Sequence, residues 1–506
     1  MTTQPTVQDI LAMIKTAQNA PISDLRLAGL LGLEKSTFSQ PGSPISGLNF
    51  YDLEVGAKFL VPVLTPLRNM IPRVSGKGGI QANWRAITAI NTSGLRIGVS
   101  GGNRGGVMAV ATQDYTAAYK GIGMESNVDF EASYAGQNFD DVRAIAAKVG
   151  LEGLMIGEEI MILGGNGSAL ALGTTGTPTL VASASGGSLA TQTLSVIAVA
   201  LSHDGYLNGS VAGGIQASIV RTNADGSSDT FGGGAAQKSA NATVAVTGPT
   251  GSVSATVPLK TGAVAYAWFW GAAGAEVLGA ITTINSLVIG AAAAGTQSAA
   301  SLPAADWSQN ALAFDGLLYQ AFKTGSNAYI RALATGTAGT GTPLTSDGAG
   351  GIVEIDAALQ SLWDNYRLSP DTIWVNSQEA LTISKKILAG TSTAAQRFVF
   401  SSGQDAIGGG VMVRTYLNRF SMVGGQALDI KIHPNMPAGT ILMTTAKLPY
   451  PLSNVANVLQ IRTRQDYYQI EWPLRSRKYE YGVYADQVLQ NYFPPSMAVI
   501  TNIANG

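Results

Sequence analysis

Val142, Ile145, Val149, Ile156 and Ile160 recur at the three-to-four-residue spacing of one helical face and predict a long helix over 138–163. Asn138 stands where a cap is needed, Asp140 and Asp141 fall in the expected first turn, where the helix dipole favours anions, and Gly164-Gly165 supply the stop. Gly150, Gly153 and Gly157 inside this helix each cost about 1 kcal/mol relative to alanine, which points to a bend or to another backbone approaching closely. A shorter amphipathic helix is expected over 6–19, with Val7, Ile10, Leu11, Ile14 and Ala17 on one face, followed by an extended stretch marked by Pro21, Pro41 and Pro44. From 49 to about 135 short strand-like runs alternate with glycine-rich turns at 75–79 and 98–106, the pattern of a long β-hairpin excursion.

The pattern changes at Gly164. Between 164 and 304 there are only seven charged residues (Asp204, Arg221, Asp225, Asp229, Lys238, Lys260 and Glu276). Apolar or alternating runs at 194–201, 217–221, 243–247, 253–257, 263–270, 276–284 and 286–289, separated by turn residues, predict a small β-sandwich of immunoglobulin-like type. Tyr266, Trp268 and Trp270 alternate along one of these strands and should line its core face. After Asp306 the character returns to mixed α and β: helices over 309–322, 354–366 and 377–388, a buried strand over 371–376, and strands over 428–433, 440–445, 457–463, 467–473 and 478–484. One α+β host interrupted by an all-β guest is the simplest arrangement.

Length and composition narrow the reading. A chain of 506 residues exceeds one ordinary core, so two or three packed units are expected. Charged residues are 12% of the chain, about half of the roughly 25% usual for soluble proteins. That shortage fits a subunit whose outer surface is buried against others, and equally a β-rich monomer with an uncharged polar surface. A net charge of −1 gives no global field toward nucleic acid or membrane, and the absence of cysteine excludes disulfides and thiolate metal sites. The opening MTTQPTVQDI lacks the pattern of an export signal, and no apolar run reaches the roughly 18 residues of a membrane-spanning helix. A soluble, unexported product without cofactor or metal is expected.

Catalytic chemistry is not signalled. His203 and His433 are the only histidines and sit at predicted strand ends, where turn roles are expected. Gly76-Lys77-Gly78-Gly79 lacks the flanking residues of a phosphate-binding loop, and the adjacent pairs Asp140-Asp141 and Glu158-Glu159 diverge on a helix, as solvated or interface charges do. Charge placement is more informative. Arg68, Arg73, Lys77, Arg85, Arg96 and Arg104 occupy 68–113 without one acid, whereas 124–159 carries Glu125, Asp129, Glu131, Asp140, Asp141, Glu152, Glu158 and Glu159 against Arg143 and Lys148. A basic excursion on one subunit could lie over the acidic helix of the next; pairing within one chain is the equal alternative, and nucleic-acid contact a lesser one. The candidate intersubunit contacts are therefore Arg68, Arg73, Lys77, Arg85, Arg96, Arg104, Asp140, Asp141, Glu152, Glu158 and Glu159. A second basic cluster, Arg462, Arg464, Arg475, Arg477 and Lys478 among Tyr467, Tyr468, Trp472, Tyr479 and Tyr481, reads as solvated strand faces, with weak DNA contact as the minor option.

The order of parts resembles the Hong Kong 97-type major capsid proteins of tailed bacteriophages. The resemblance is carried by an arm at 1–48, an extended loop at about 67–123 within a first peripheral segment at 49–137, and a spine helix at 138–168 ending in Gly164-Gly165-Asn166-Gly167-Ser168. It continues through Asp306-Trp307-Ser308-Gln309-Asn310, Asp371-Thr372-Ile373-Trp374-Val375-Asn376-Ser377 and the closing strands, with a guest sandwich at 169–302 and axial plus remaining peripheral parts at 303–506. The resemblance implies a non-enzymatic subunit forming hexamers and pentamers of an icosahedral virion shell around packaged DNA. It also implies a portal, with scaffolding or decoration proteins as further partners, and assembly in the host cytoplasm without membrane. Some members cross-link through a loop lysine, for which Lys77 or Lys120 qualify by position only. Other readings are a tail-tube or decoration protein, or a carbohydrate-binding β-rich protein using Trp268 and Trp270.

Overall fold

The long helix is present but buries a different face from the apolar stripe that predicts it: Val142, Ile145, Ile156 and Ile160 are half-buried and Val149 is exposed, while Gly150, Leu154, Glu158, Ile162 and Leu163 are buried. A computed structural model describes residues 58–90, 98–136, 141–388, 412–422 and 424–504. The arm, the 6–19 helix, Asn138, Asp140 and Arg96 lie outside the described residues. Residues 62–132 and 142–506 form one unit, while 1–61 and 133–141 form another. The chain runs through α1 (Pro66–Met70), β1 (Arg73–Ser75), the hairpin β2 (Gln81–Ile90) and β3 (Val110–Ala118), β4 (Lys120–Asp129), the short α2 (Phe130–Ala135) and the long α3 (Val142–Gly164). α3 starts one residue after Asp141, so that acid stands before the first turn and not within it. Two of its glycines face close side chains where another backbone or a bend was expected: a Cβ at Gly153 would lie 2.9 Å from the Met124 sulfur and one at Gly150 3.2 Å from the Ser126 hydroxyl, while Gly157 has open space. Leu154, Ile162 and Leu163 are buried against the sheet built from β4 and the strands near the C-terminus.

The middle segment is a two-sheet sandwich of β5 (Thr179–Ser183), β6 (Gln192–Leu201), a one-turn α4 (His203–Leu207), a side hairpin β7 (Ser218–Thr222) and β8 (Ser228–Gly232), β9 (Ala242–Val246), β10 (Ser252–Thr256), β11 (Ala265–Gly271), β12 (Val277–Thr282) and β13 (Ser286–Ile289). The sheets are β12-β11-β6-β9 and β13-β10-β5. An immunoglobulin sandwich puts its first and second strands side by side; here the first, β5, pairs with β10, while the second, β6, lies in the other sheet, so the expected immunoglobulin-type order is not the one found. Alternation along a strand reports which face is buried and says nothing of which strand lies beside it. Trp268 and Trp270 are core residues, their indole N–H groups bonded to Thr282 Oγ1 at 2.8 Å and to the Ala291 carbonyl at 3.0 Å. Burial removes them as a glycan platform.

The sandwich leaves and rejoins the rest through two strands of backbone zipped together. Asn310 N donates to the Asn166 carbonyl at 2.8 Å, Gly316 N to the Gly165 carbonyl at 2.7 Å, and Leu172 N to Ser308 Oγ at 2.9 Å. The Asp315 carboxylate accepts from Ser168 N and Ala169 N at 2.8 and 3.0 Å. These bonds explain why helix is confined to α5 (Leu317–Phe322) where 309–322 was expected: the backbone groups of 310–316 are committed to the neck.

The remainder comprises β14 (Tyr329–Ala332), α6 (Val353–Tyr366), β15 (Thr372–Val375), α7 (Ser377–Leu388), β16 (Thr415–Asn418), β17 (Gln426–Ile432), β18 (Ile441–Thr444), β19 (Leu459–Glu471), β20 (Lys478–Asn491) and β21 (Ala498–Thr501). Six strands in the order β14-β21-β18-β15-β17-β16 form a mixed sheet, with buried side chains of α6 and α7 in one cluster with it. β19 is one strand where two were expected, because register shifts after Thr463 and Gln465 break the alternation without breaking the strand. A four-stranded sheet β1-β19-β20-β4 carries α3 and receives the root of the β2–β3 hairpin. Trp268→Ala should destabilise the chain by about 3–5 kcal/mol through the cavity it leaves, a loss that denaturant unfolding followed by circular dichroism will measure.

Candidate assembly surface

The β2–β3 hairpin is firmly held at one end and bare at the other. Its strands pair from Gln81↔Ala118 to Ile90↔Val110, with a register shift between Ile87 and Ala89. At the root, the Trp84 ring stacks on Tyr115 at 5.7 Å and meets Tyr492 edge-on at 5.8 Å, while Ala82 is buried in the main core. Outward from that root the apolar side chains have no cover: Ile87 is 69% exposed and Val107 86%, with Ile90, Met108 and Val110 each about half exposed, and at the base Ile80 is 78% exposed. Lone exposed apolar residues are ordinary; this many on one projecting ribbon marks a surface that meets something. The sequence signal for it was the apolar content of a glycine-bounded stretch with no acid before Asp114, which charge counting passes over.

The predicted contact residues divide into two groups. Arg68, Arg73, Glu158 and Glu159 meet each other inside the chain. Both Glu158 and Glu159 are buried, on the last turns of α3. Glu158 accepts from Arg73 Nη1 at 2.5 Å, Arg68 Nε at 3.1 Å and Gln487 Nε2 at 2.8 Å, and also takes a short hydrogen bond from the Tyr467 hydroxyl. Arg73 spans onward to Asp466 at 2.6 Å, and both guanidinium groups lie over the Tyr467 ring. Burial, together with the carboxylate beside it, pushes the Tyr467 hydroxyl up to about 12, so it stays a donor.

Glu159 does different work. Its two oxygens accept from Leu67 N at 2.8 Å and Arg68 N at 2.7 Å, capping α1 from 92 residues away where Thr65 makes no side-chain cap. Its Oε1 also lies 2.6 Å from His433 Nε2; His433 Nδ1 accepts from Asn435 N, which places the ring proton on Nε2, facing the carboxylate. These four residues therefore meet inside one chain, the pairing that the sequence left open as the equal alternative, and both carboxylates have every oxygen engaged there.

Lys77, Arg85 and Arg104 are exposed on the hairpin and its approaches. Arg85 forms an exposed two-point ion pair with Asp114 across the hairpin at 2.6 and 2.9 Å, an arrangement that stiffens little in water. Glu152 is half-buried on α3 and Asp141 is exposed just before it. In the C-terminal cluster Arg464 pairs with Asp486, Arg477 with Glu131 and Lys478 with Asp129, which fits solvated strand faces. Among the described residues no group of His, Cys, Asp and Glu could hold a metal ion, and no helix is long and apolar enough to cross a membrane.

No protein-family model and no curated protein matches the chain. Solved structures do. An encapsulin complex from Synechococcus elongatus PCC 7942 aligns at 9% identity over 89% of this chain and 93% of that one, with a TM-score of 0.38. The capsid of a native GTA particle aligns at 9% identity over 93% and 100%, with a TM-score of 0.40. The capsid of Myoviridae phage XM1 aligns at 9% identity over 91% and 100%, with a TM-score of 0.39. The chain resembles these shell proteins along most of its length.

Removing the Glu159 carboxylate orphans two backbone N–H groups and His433 in one step. Glu159→Ala should cost about 3–5 kcal/mol of stability, whereas Lys77→Ala should stay within about 0.5 kcal/mol of the parent; paired urea titrations will separate the two.

Proposed function

We infer that this chain is a shell-building subunit, the major capsid protein of a tailed phage, which closes into hexamers and pentamers of an icosahedral head around DNA. The observation that supports this most is the bare distal part of the β2–β3 hairpin: an apolar ribbon held rigidly at Trp84 and offered to water at Ile87, Ile90, Val107 and Met108. A subunit that functions alone gains nothing from such a ribbon, and one that lies over a neighbour buries it. Val149 and Met124, both about half exposed along α3 and β4, offer an apolar surface for a neighbour's hairpin, with Glu152 beside it to meet Lys77, Arg85 or Arg104. Arg96 and Asp140 belong to the same proposal by sequence. The axial role falls to the six-stranded sheet with α6 and α7, and the sandwich projects as an outward elaboration. A portal and scaffolding or decoration proteins would be its partners in the virion, assembled in the host cytoplasm, and DNA would meet the inner face by weak, sequence-independent charge contacts. No catalytic role is assigned. The two sandwich tryptophans being buried leaves the carbohydrate-binding reading without its platform.

Expressed alone and studied by negative-stain microscopy with sedimentation, the chain should form closed shells or uniform rings of five or six subunits. Ile87→Asp with Ile90→Asp should reduce it to monomers while leaving thermal unfolding of the monomer within about 0.5 kcal/mol, since neither side chain lies in the core. A parent chain that stays monodisperse and monomeric at high concentration would remove the self-assembling reading.

A further inference from the structure

The chain has two histidines in 506 residues, and the fold brings both to one loop. Residues 433–440 join β17 to β18, and each side of this loop is held by a different part of the molecule. From α3, Glu159 takes His433 Nε2 at 2.6 Å. From the sandwich, His203 Nε2, in the first turn of α4, lies 2.8 Å from the Asn435 carbonyl and so donates to it, while the Tyr206 hydroxyl meets the Ala438 backbone. From the six-stranded sheet and α7, Asn376 Nδ2 donates to the Met436 carbonyl at 2.7 Å and Glu379 Oε1 accepts from Gly439 N at 2.8 Å. Both histidines and Glu379 are buried.

His203 is the uneasy member. Its Nδ1 is buried and carries no hydrogen bond, and it lies so close to the end of α3 that a Cβ on Gly164 would come within 2.1 Å of it. The groups facing it offer no countercharge: His433 is a second base, Tyr319 presents a hydroxyl that accepts from His203 N at 3.1 Å, and the Asp204 carboxylate is turned to Asn208 at 2.8 Å. Glu159 is committed to His433 and α1, and Glu379 to Gly439. We propose that the 433–440 loop is an acid-released clasp, in which protonation of His203 frees the α4 corner of the sandwich while the loop stays fastened to α7 and the six-stranded sheet.

The sign follows from the two ionisable groups. Burial, with His433 nearby, pushes His203 down to about 4 from an ordinary 6.5, so the closed clasp is at full strength above 6.5 and weakens as the pH falls toward 4. Burial pushes Glu379 up to about 7 from 4.5, so the α7 side is at full strength below 4.5 and weakens as the pH rises through 7. Acid therefore loosens the sandwich side and tightens the sheet side of the same loop. The sandwich does not drift away on release, because Asn285 and Asn502 exchange hydrogen bonds of 2.9 and 3.1 Å and the neck remains zipped.

Hydrogen–deuterium exchange of the full chain, corrected for intrinsic rates, tests this between pH 7 and pH 4. The open population around 202–209 should rise on the order of a hundredfold, following one proton, while peptides over 265–271 and 372–375 keep their protection. His203→Gln, which can still donate to Asn435 but cannot take a proton, should hold the corner equally at both pH values. Glu379→Gln should leave the release unchanged. Should His203→Gln not fold, the proton count and midpoint of the parent's release decide alone. Equal protection of 202–209 at pH 7 and pH 4, acid release that persists in His203→Gln, loss of protection in the core peptides at the same midpoint, or release enlarged by Glu379→Gln would each overturn the proposal.

Discussion

The base from which the hairpin leaves depends on one buried carboxylate. Glu159 has no water to solvate it, so its charge has to be met by donors, and it takes three: two backbone N–H groups of α1 and the ring N–H of His433. Those donors come from sequence positions near 67 and 433, so satisfying one side chain on α3 fixes α1 and the loop after β17 against the same helix. α1 is only five residues long and would not hold its shape in isolation. Capped by Glu159, it delivers Arg73 to Glu158 and Asp466, and β1 to its parallel pairing with β19. The hairpin then leaves from a rigid base.

The guest sandwich is tolerated for a related reason. Its two connecting segments satisfy each other's backbone groups at the neck, so the host sees little difference between a short turn and a long insertion there. Close backbone approach is what the glycines supply: a Cβ at Gly165 would lie 2.4 Å from the Phe314 carbonyl oxygen, and one at Gly316 2.5 Å from that of Met161. Side chains at either position would push the neck apart and strand the Gly165 and Asn166 carbonyls it now covers.

Sequence patterning found what is local and periodic. α3, α6, α7 and most sandwich strands follow from the period of their apolar residues, and the strand β15 from a short apolar run buried on both faces. It missed what depends on distant partners. β1, β5, β14, β16 and β21 are three to five residues long and exist because a neighbouring strand accepts their hydrogen bonds. The Glu158-Glu159 pair looked like a solvated face, since nothing in the chain near 158 announces that arginines at 68 and 73, a tyrosine at 467 and a histidine at 433 will converge on it. Likewise both histidines sat at the predicted strand ends, but their meeting on one loop is a property of the fold alone.

The low charge content takes on a different meaning once the pairs are drawn. Many of the chain's charges are spent within it, on Glu158, Glu159, Asp466, Asp486 and their partners, and on the hairpin Arg85 and Asp114 close on each other, which leaves Arg104 among exposed apolar side chains on its distal part. A ribbon of that kind carries little electrostatic preference for where it lands, and its grip comes from area buried. Such contacts suit a subunit that must make nearly the same neighbour contact at slightly different angles, since apolar area falls off gradually with misfit whereas a charged hydrogen bond is lost within a fraction of an ångström. The division of labour is then physical: directional, buried charge fixes the base of the hairpin within one chain, and non-directional apolar surface is what its distal part exposes.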